Sequence, residues 1–175
     1  MSGKNFLFKI LVAGDASVGK TSILRRFVDD MFDESSIMTV GVDFFLKNVE
    51  YDSITSCSLQ LWDLGGQERF RHLMPHYVMG ARGALLLIDL SQALEIERIL
   101  DWVNIIRLHD LNLPILLVGT KLDLYDIGFG FTDNDALELM ETFNLRVYIK
   151  TSAKSGHNVK KVFDMLTETI MEESK

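Results

Sequence analysis

Residues 6–21, FLFKILVAGDASVGKT, join an apolar run to a glycine-rich loop. The run Phe6–Val12 is apolar except for Lys9, which predicts a strand buried on both faces. The loop Gly14–Thr21 matches G-x-x-x-x-G-K-[S/T] at all four fixed positions, and a helical segment follows it. Its glycines allow backbone N–H groups to curl around phosphate oxygens, and the start of the helix adds partial positive charge. The stretch therefore predicts a nucleoside triphosphate site rather than a simple glycine turn, with Lys20 at the β- and γ-phosphates and the Thr21 hydroxyl on Mg²⁺.

Further apolar runs predict the rest of the fold. Ala84–Ile88 and Ile115–Val118 predict buried strands, and Leu145–Ile149 predicts a short one. Val40–Val49 and Thr55–Trp62 are extended runs whose link is too short for a crossover helix, so this pair should be antiparallel. Helices are predicted from the apolar spacing of Ile96, Ile99, Leu100 and Val103, from a cap at Thr132–Asp135, and from Val159, Val162, Phe163, Leu166 and Ile170. We expect an α/β fold, an open and mostly parallel six-stranded sheet with one antiparallel edge strand and helices on both faces.

The composition limits the class of protein. With 175 residues and 47% apolar residues, one domain over residues 1–175 is expected. A net charge of −7 gives no basic field for nucleic acid or an anionic membrane, so an anionic ligand must be held locally. The single cysteine, Cys57, excludes an internal disulfide and is expected to be a small packing residue. No signal peptide, membrane span or lipidation motif is recognised, so we expect a cytoplasmic protein without a lipid anchor.

Ligands of such folds bind beyond the carboxyl ends of the parallel strands, which directs attention to three further segments. Asp63–Gln67 follows the third strand. The carboxylate of Asp63 suits a direct or second-shell Mg²⁺ ligand, the N–H of Gly66 suits a γ-phosphate, and the amide of Gln67 suits a hydrolytic water. Alone, Asp-x-x-Gly is a weak signal that a simple turn explains about as well, but about forty residues after a phosphate loop it becomes a strong one.

Thr120–Asp123 follows the fifth strand, and Ser152–Lys154 follows the sixth. The carboxylate of Asp123 can accept from the N1–H and the 2-amino group of guanine, a donor pair that adenine lacks. The backbone N–H of Ala153 would reach guanine O6. Each segment alone could be a polar turn, but both lie at the strand ends where a base would bind.

These segments, with Val40–Phe44, Leu59–Trp62, Arg69–Arg71 and Tyr77–Ala81, resemble the Ras superfamily of small GTPases, and most of all its Rab branch. The resemblance implies a P-loop NTPase fold and a Mg²⁺-dependent molecular switch that binds and hydrolyses GTP in trafficking or signalling. It implies that Thr39 binds Mg²⁺ and senses the γ-phosphate, that Phe32 packs edge-on against the guanine, and that Lys121 lies along its face. Effectors, an exchange factor and a GTPase-activating protein are the implied partners.

Together with the motifs above, the resemblance gives a full set of site residues. Nucleotide contacts are expected at Gly14, Asp15, Ala16, Ser17, Val18, Gly19, Lys20, Thr21, Ser22, Phe32, Thr39, Gly66, Thr120, Lys121, Asp123, Ser152, Ala153 and Lys154. The metal ligands are expected to be Thr21, Thr39 and Asp63, and the catalytic residues Lys20, Thr39 and Gln67. No arginine is recognised as a finger in cis, so slow intrinsic turnover and an activating partner are expected.

Two other functions are compatible with part of this pattern. A P-loop kinase or ATPase would keep residues 14–21 but has no use for Asp123 or for Ser152–Lys154. A GTP-bound interaction module with negligible hydrolysis would be indicated by loss of Gln67 or Thr39, and both are present.

The sequence also departs from the family pattern. Thr120 stands where most members have asparagine, so a side-chain amide that links base and phosphate loop is expected to be missing. Leu64-Gly65 replaces the usual Thr-Ala of Rabs, and Ser36 replaces an aromatic that often covers the nucleotide.

A set of three aromatic residues and one apolar loop can each be interpreted either as an interaction surface or as part of the packed structure. Phe44, Trp62 and Tyr77 match aromatics that form an exposed effector surface in Rabs, but they could instead cap the sheet edge. The loop Ile127–Phe131 either tucks into the core or binds a partner. Trp102 is expected to be a packing anchor of its helix rather than a cofactor contact.

Overall fold

A computed structural model describes residues 4–35, 38–93, 95–125 and 130–174. Its strands are β1 (Lys4–Ala13), β2 (Val42–Asp52), β3 (Thr55–Leu64), β4 (Gly83–Asp89), β5 (Ile115–Thr120) and β6 (Tyr148–Lys150). Its α-helices are α1 (Lys20–Asp29), α2 (Met74–Tyr77), α3 (Ile96–Ile106), α4 (Asp133–Phe143) and α5 (Val159–Glu173). Short 3₁₀ turns cover Glu68–Leu73 and Leu122–Leu124.

The six strands form one sheet in the order β2-β3-β1-β4-β5-β6. Strand β2 pairs antiparallel with β3 at the edge, and the other neighbouring pairs are parallel. This confirms the predicted α/β sheet with one antiparallel edge. The carboxyl ends of the parallel strands all lie at the same end of the sheet, called here its carboxyl edge. The last residues of these strands are Ala13, Leu64, Asp89, Thr120 and Lys150.

Two apolar clusters cover the two faces of the sheet. Helices α1 and α5 pack on one face, where the rings of Phe27 and Phe163 stack with centroids 3.9 Å apart. Helices α2, α3 and α4 pack on the other face, where Trp102 is buried. Because apolar surface is buried on both faces, the polar residues that follow the strands collect at the sheet edge. Cys57 is buried as expected.

The helices lie where the sequence predicts them, but the side that each one buries is not always the predicted side. In α3 the predicted stripe is wrong at Ile96 and Leu100, which are 58% and 43% exposed. The buried face is instead Ile99, Trp102, Val103 and Ile106, which includes the large indole of Trp102. The cap of α4 is confirmed as a capping box between Thr132 and Asp135.

Several sequence features are placed differently from the prediction or lie outside the described residues. The last strand begins at Tyr148, later than the predicted Leu145, which instead packs in the core. Phe131 tucks into the core, whereas residues 127–129 of the same loop and Ser36 lie outside the described part. Among the described helices, none has the length and apolar character needed to cross a bilayer.

Candidate functional site

A cavity of about 390 Å³ opens at the carboxyl edge of the sheet. Its walls come from the phosphate loop (residues 14–21), the first-switch segment (residues 31–41, described except for 36 and 37), the second-switch segment (residues 65–78) and the loops after β5 and β6. It therefore lies where the topology of an open α/β sheet places a ligand.

The phosphate loop curls tightly between β1 and α1. Gly14 has a φ of +139°, and a Cβ there would lie 2.5 Å from the carbonyl oxygen of Leu87, so both the conformation and the space require glycine. Gly19 is the N-cap of α1 with a φ of +101°. The loop thus brings its backbone and the N-terminus of α1 to the cavity, an arrangement that suits anionic oxygens.

Lys20 is buried at the floor of the loop. Its Nζ donates to the carbonyl oxygens of Gly14 at 2.8 Å and Asp15 at 2.7 Å. Burial lowers the pKa of Lys20 to about 8, against the attraction of the Asp63 and Asp15 carboxylates. An anion in the cavity would supply the counter-charge that this buried ammonium favours.

Three oxygen donors converge beside Lys20. The hydroxyls of Thr21 and Thr39 lie 2.8 Å apart, and Oδ2 of Asp63 lies 2.5 Å from the first and 3.1 Å from the second. Burial raises the pKa of the Asp63 carboxyl, and the two hydroxyls and the charge of Lys20 oppose that rise. Oδ1 of Asp63 is buried without a hydrogen-bond partner among the described residues.

This cluster fits a hard divalent cation. Mg²⁺ prefers oxygen ligands, takes few of them from the protein, and keeps the rest for water and phosphate. One carboxylate and two hydroxyls match that preference, and the orphaned oxygen of Asp63 is a buried acceptor that a cation or its water could satisfy.

The second-switch segment rests directly on the phosphate loop. A Cβ at Gly66 would collide with the backbone of Asp15 and Ala16, so only glycine allows this approach. The amide of Gln67 lies at the cavity, where its Nε2 is 3.7 Å from Sδ of Met38 and its Oε1 accepts from Nε of Arg69 at 2.6 Å. The predicted hydrolytic amide is therefore beside the first-switch segment, with its carbonyl engaged by Arg69.

The opposite end of the cavity is built by the loops after β5 and β6. Asp123 and Ala153 line it, and Oγ of Ser152 donates to Oδ1 of Asp123 at 2.6 Å. Lys121 lines the same end, with its ammonium 2.7 Å from Asp89. A fixed carboxylate beside a backbone N–H at the cavity wall can read paired donors and a carbonyl on one edge of a planar base.

A family model described as Ras family matches residues 9–172 of the chain. The chain belongs to the Ras family. It is 38% identical to Ras-related protein Rab-1 of Theileria annulata over 172 residues, which are 97% of this chain and 77% of that protein. It is 39% identical to Ras-related protein RIC1 of Oryza sativa subsp. japonica over 91% of this chain and 78% of that protein. It is 37% identical to human Ras-related protein Rab-3D over 96% and 76%, respectively. These matches confirm the resemblance to Rab-type GTPases.

Most predicted site residues of this Ras-family chain meet at the one cavity. Its lining includes Ala16, Ser17, Gly19, Lys20, Thr21, Ser22, Phe32, Thr39, Gly66, Gln67, Thr120, Lys121, Asp123, Ala153 and Lys154. Gly14, Asp15, Val18 and Ser152 are not among the lining residues, and Asp63 lies behind the two threonines. Other lining residues were not predicted, among them Glu34, Met38, Leu124 and Thr151. Glu34 pairs with Lys154 at 2.7 Å and so closes the cavity rim between the first-switch segment and the loop after β6.

The side chain of Asp15 turns away from the cavity. Its carboxylate lies 2.9 Å from Arg98, 3.4 Å from Arg71 and 3.0 Å from Nε1 of Trp102. Only the carbonyl of Asp15 faces Lys20. This network ties the phosphate loop to α3 and to the second-switch segment, and it gives the buried indole of Trp102 a polar partner beyond the predicted packing role.

The expectation for Thr120 needs a correction. Its hydroxyl lies 2.6 Å from the carbonyl oxygen of Val18 and 3.0 Å from that of Ile88, and both contacts are buried. A hydroxyl instead of an amide therefore links the end of β5 to the phosphate loop. Since a hydroxyl has one proton to donate, it serves the carbonyls and leaves none for the base.

We expect Thr120→Val to loosen the phosphate loop. Valine keeps the shape but leaves buried carbonyls without their donor, at a cost of about 1–3 kcal/mol. GDP release, followed by displacement of a fluorescent analogue, should accelerate about tenfold, whereas Thr120→Ser should stay close to the unchanged chain. Equal release rates for the valine and serine variants would show that the hydroxyl bond is unimportant.

Proposed function

We propose that this GTPase binds GTP with Mg²⁺, hydrolyses it, and alternates between two arrangements of its switch segments. The observation that carries the proposal is a cavity lined by Lys20, Thr21 and Gln67 as well as by Asp123 and Ala153. A triphosphate group fits beside the first three residues and a guanine beside the last two. An ATPase or kinase would have no use for the carboxylate fixed by Ser152.

Hydrolysis is supported by the residues at the phosphate end. The ammonium of Lys20, held by two carbonyls, stabilises the charge that develops on the transferred phosphoryl group. The amide of Gln67 orients the attacking water. Its carbonyl is occupied by Arg69 in this arrangement, which supports slow intrinsic turnover and an activating partner that reorganises the second-switch segment.

The metal proposal rests on Thr21, Thr39 and Asp63. Mg²⁺ held there would supply positive charge that offsets the negative charge of the β- and γ-phosphates. Thr39 comes from the first-switch segment and Thr21 from the phosphate loop, so the same cluster would hold the first switch closed while a γ-phosphate is bound.

The likeness to Rab proteins supports a role in trafficking or signalling, exerted from the cytoplasm. Effectors, an exchange factor and an activating protein would then read the switch segments. A fluorescent fusion found inside a secretory compartment would contradict the cytoplasmic assignment.

The effector proposal rests on Phe44, Trp62 and Tyr77, here called the aromatic cluster. Phe44 lies opposite Trp62 across β2 and β3, with ring centroids 5.7 Å apart, and the Trp62 and Tyr77 rings are 6.1 Å apart. Phe44 is 48% exposed, while Trp62 and Tyr77 are half-buried against the core. Lys9, the polar exception of β1, covers the Trp62 ring at 3.9 Å. The cluster thus caps the sheet edge and still offers an aromatic surface between the switches.

Base choice tests the proposal directly. Asp123→Asn replaces an acceptor by an amide that can donate, so preference should shift from GTP toward xanthosine triphosphate. In the unchanged chain a site built around guanine should reject ATP by about 10⁴-fold or more. Competition against fluorescent GDP measures both, and comparable displacement by ATP and GTP would overturn the guanine assignment.

Chelation tests the metal. Removal of Mg²⁺ with EDTA should speed nucleotide release at least tenfold, because the phosphates lose a bridging charge. Thr21→Val, which removes one oxygen ligand, should release nucleotide fast whether or not chelator is present. Identical rates for the unchanged chain with and without EDTA would exclude a role for the metal in holding nucleotide.

Gln67→Leu tests hydrolysis. Leucine fills a similar volume without orienting water, so GTP binding should persist while single-turnover phosphate release drops at least tenfold, about 1.4 kcal/mol of barrier. Glu68→Leu is the matched control, since Glu68 is an exposed neighbour that does not line the cavity. Negligible release from the unchanged chain would favour a GTP-bound interaction module, and unaltered release from the Gln67 variant would assign the water to another residue.

Phe44→Ala tests the aromatic cluster. Because Phe44 is about half exposed, its loss should weaken capture of GTP-selective partners and leave GDP affinity unchanged. Ile54→Ala, at the far turn of the same strand pair and 56% exposed, is the control. A large drop in melting temperature with partner capture intact would make Phe44 a structural residue.

A further inference from the structure

Arg26 connects two parts of the molecule that are far apart in sequence. It lies on α1, six residues after Lys20, and its guanidinium reaches the base loop, defined here as residues 152–155. Nε donates to the carbonyl oxygen of Ala153 at 2.7 Å, and Nη2 donates to that of Lys154 at 2.9 Å. Neither contact was predicted, since the partners are backbone carbonyls and carry no sequence signal.

The same guanidinium also holds the end of its own helix. Nη1 lies 3.0 Å from both the carbonyl oxygen and Oδ1 of Asp30, the C-cap of α1. A cation is favoured at a helix C-terminus, and the Arg26 side chain is only 19% exposed. A planar fork of donors fixes directions as well as distances, which a lysine ammonium on a flexible stem cannot do. Arg26 therefore sets the base loop against the end of α1.

From Arg26 a chain of bonds continues to the carboxylate that faces the cavity. The Lys154 carbonyl held by Arg26 shares one planar peptide unit with the N–H of Ser155. That N–H donates to Oγ of Ser152 at 3.2 Å, and Oγ donates in turn to Oδ1 of Asp123 at 2.6 Å. The Ala153 carbonyl likewise shares its peptide unit with the N–H of Lys154, in a wall that lines the cavity. Arg26 is thus connected through the Lys154–Ser155 peptide unit and Oγ of Ser152 to the carboxylate of Asp123.

We propose that Arg26 is a positioning residue for base recognition. It is not among the residues that line the cavity, and it acts through the base loop and through the Ser152–Asp123 hydrogen bond. The proposal rests on the guanine assignment above, and it adds that selectivity for guanine depends on a residue outside the nucleotide site.

The test compares Arg26→Lys with Arg25→Lys in the full chain. Arg25 is the exposed neighbour on the same helix, and no side-chain hydrogen bond or ion pair joins it to another residue in the described ranges. Both changes keep the positive charge. Only Arg26→Lys removes the guanidinium that donates to the base loop. GDP and ADP are titrated against fluorescent GDP, and the ratio of their half-displacement concentrations gives the selectivity.

Arg26→Lys should weaken GDP about tenfold and leave ADP unchanged, so that selectivity falls by the same factor. Arg25→Lys should change neither. If Arg26 were merely structural, its replacement would weaken the binding of GDP and ADP by the same factor, and this result would overturn the proposal. An unchanged affinity for GDP would overturn it as well. Absence of GDP preference in the unchanged chain is a different result, because it would overturn the guanine assignment itself.

A second variant tests the route. Ser152→Ala breaks the last link to Asp123, and the double variant Arg26→Lys with Ser152→Ala should lose no more selectivity than the larger single loss. If the selectivity loss of the double variant equals the product of the two single losses, Arg26 and Ser152 act separately, and the proposed connection is contradicted. Melting of the GDP-loaded proteins identifies any variant that fails to fold.

Discussion

The parallel alignment of β1, β3, β4, β5 and β6 is the constraint on which the site depends. Helices cover both faces of the sheet, so the interior accepts almost only apolar side chains. Polar groups can follow a strand only where it leaves the core, and all five strands leave it at one edge. Segments as far apart in sequence as the phosphate loop and the base loop are thereby brought to one cavity. The antiparallel β2 adds the aromatic cluster at the side without disturbing that edge.

An acidic chain that binds an anion must organise its positive charge locally. The net charge is −7, yet the phosphate end concentrates the Lys20 ammonium, the backbone of residues 14–21 and the N-terminus of α1. The one carboxylate inside the loop, that of Asp15, is turned outward and neutralised by Arg71 and Arg98. Its removal from the cavity leaves Asp63 as the acidic group beside the two threonine hydroxyls.

The sequence predicted the sheet, the strand-end motifs and most of the cavity because those features depend on short segments with strong local patterns. It failed where the outcome depends on a contact between distant segments. The Thr120 hydroxyl reaches a carbonyl 102 residues away, so a substitution that looks like a lost link is a replaced one. The spacing of apolar residues placed α3, and Trp102 was correctly expected to pack, but the pattern could not separate Ile96 from Ile99, which are equally apolar. Arg26 gave no signal because its partners are carbonyl groups, which every residue possesses.

The contact of Gly66 with the backbone of Asp15 and Ala16 has a mechanical consequence. Two main chains meet there without a side chain between them, and even one added methyl group would not fit. Where side chains lie between two main chains, a change of rotamer can accommodate a small displacement. Here there is no side chain to adjust, so we expect the second-switch backbone to follow a displacement of the phosphate loop toward it. The second-switch segment is also tied to α3, because the guanidinium of Arg71 lies 2.7 Å from the carboxylate of Asp101.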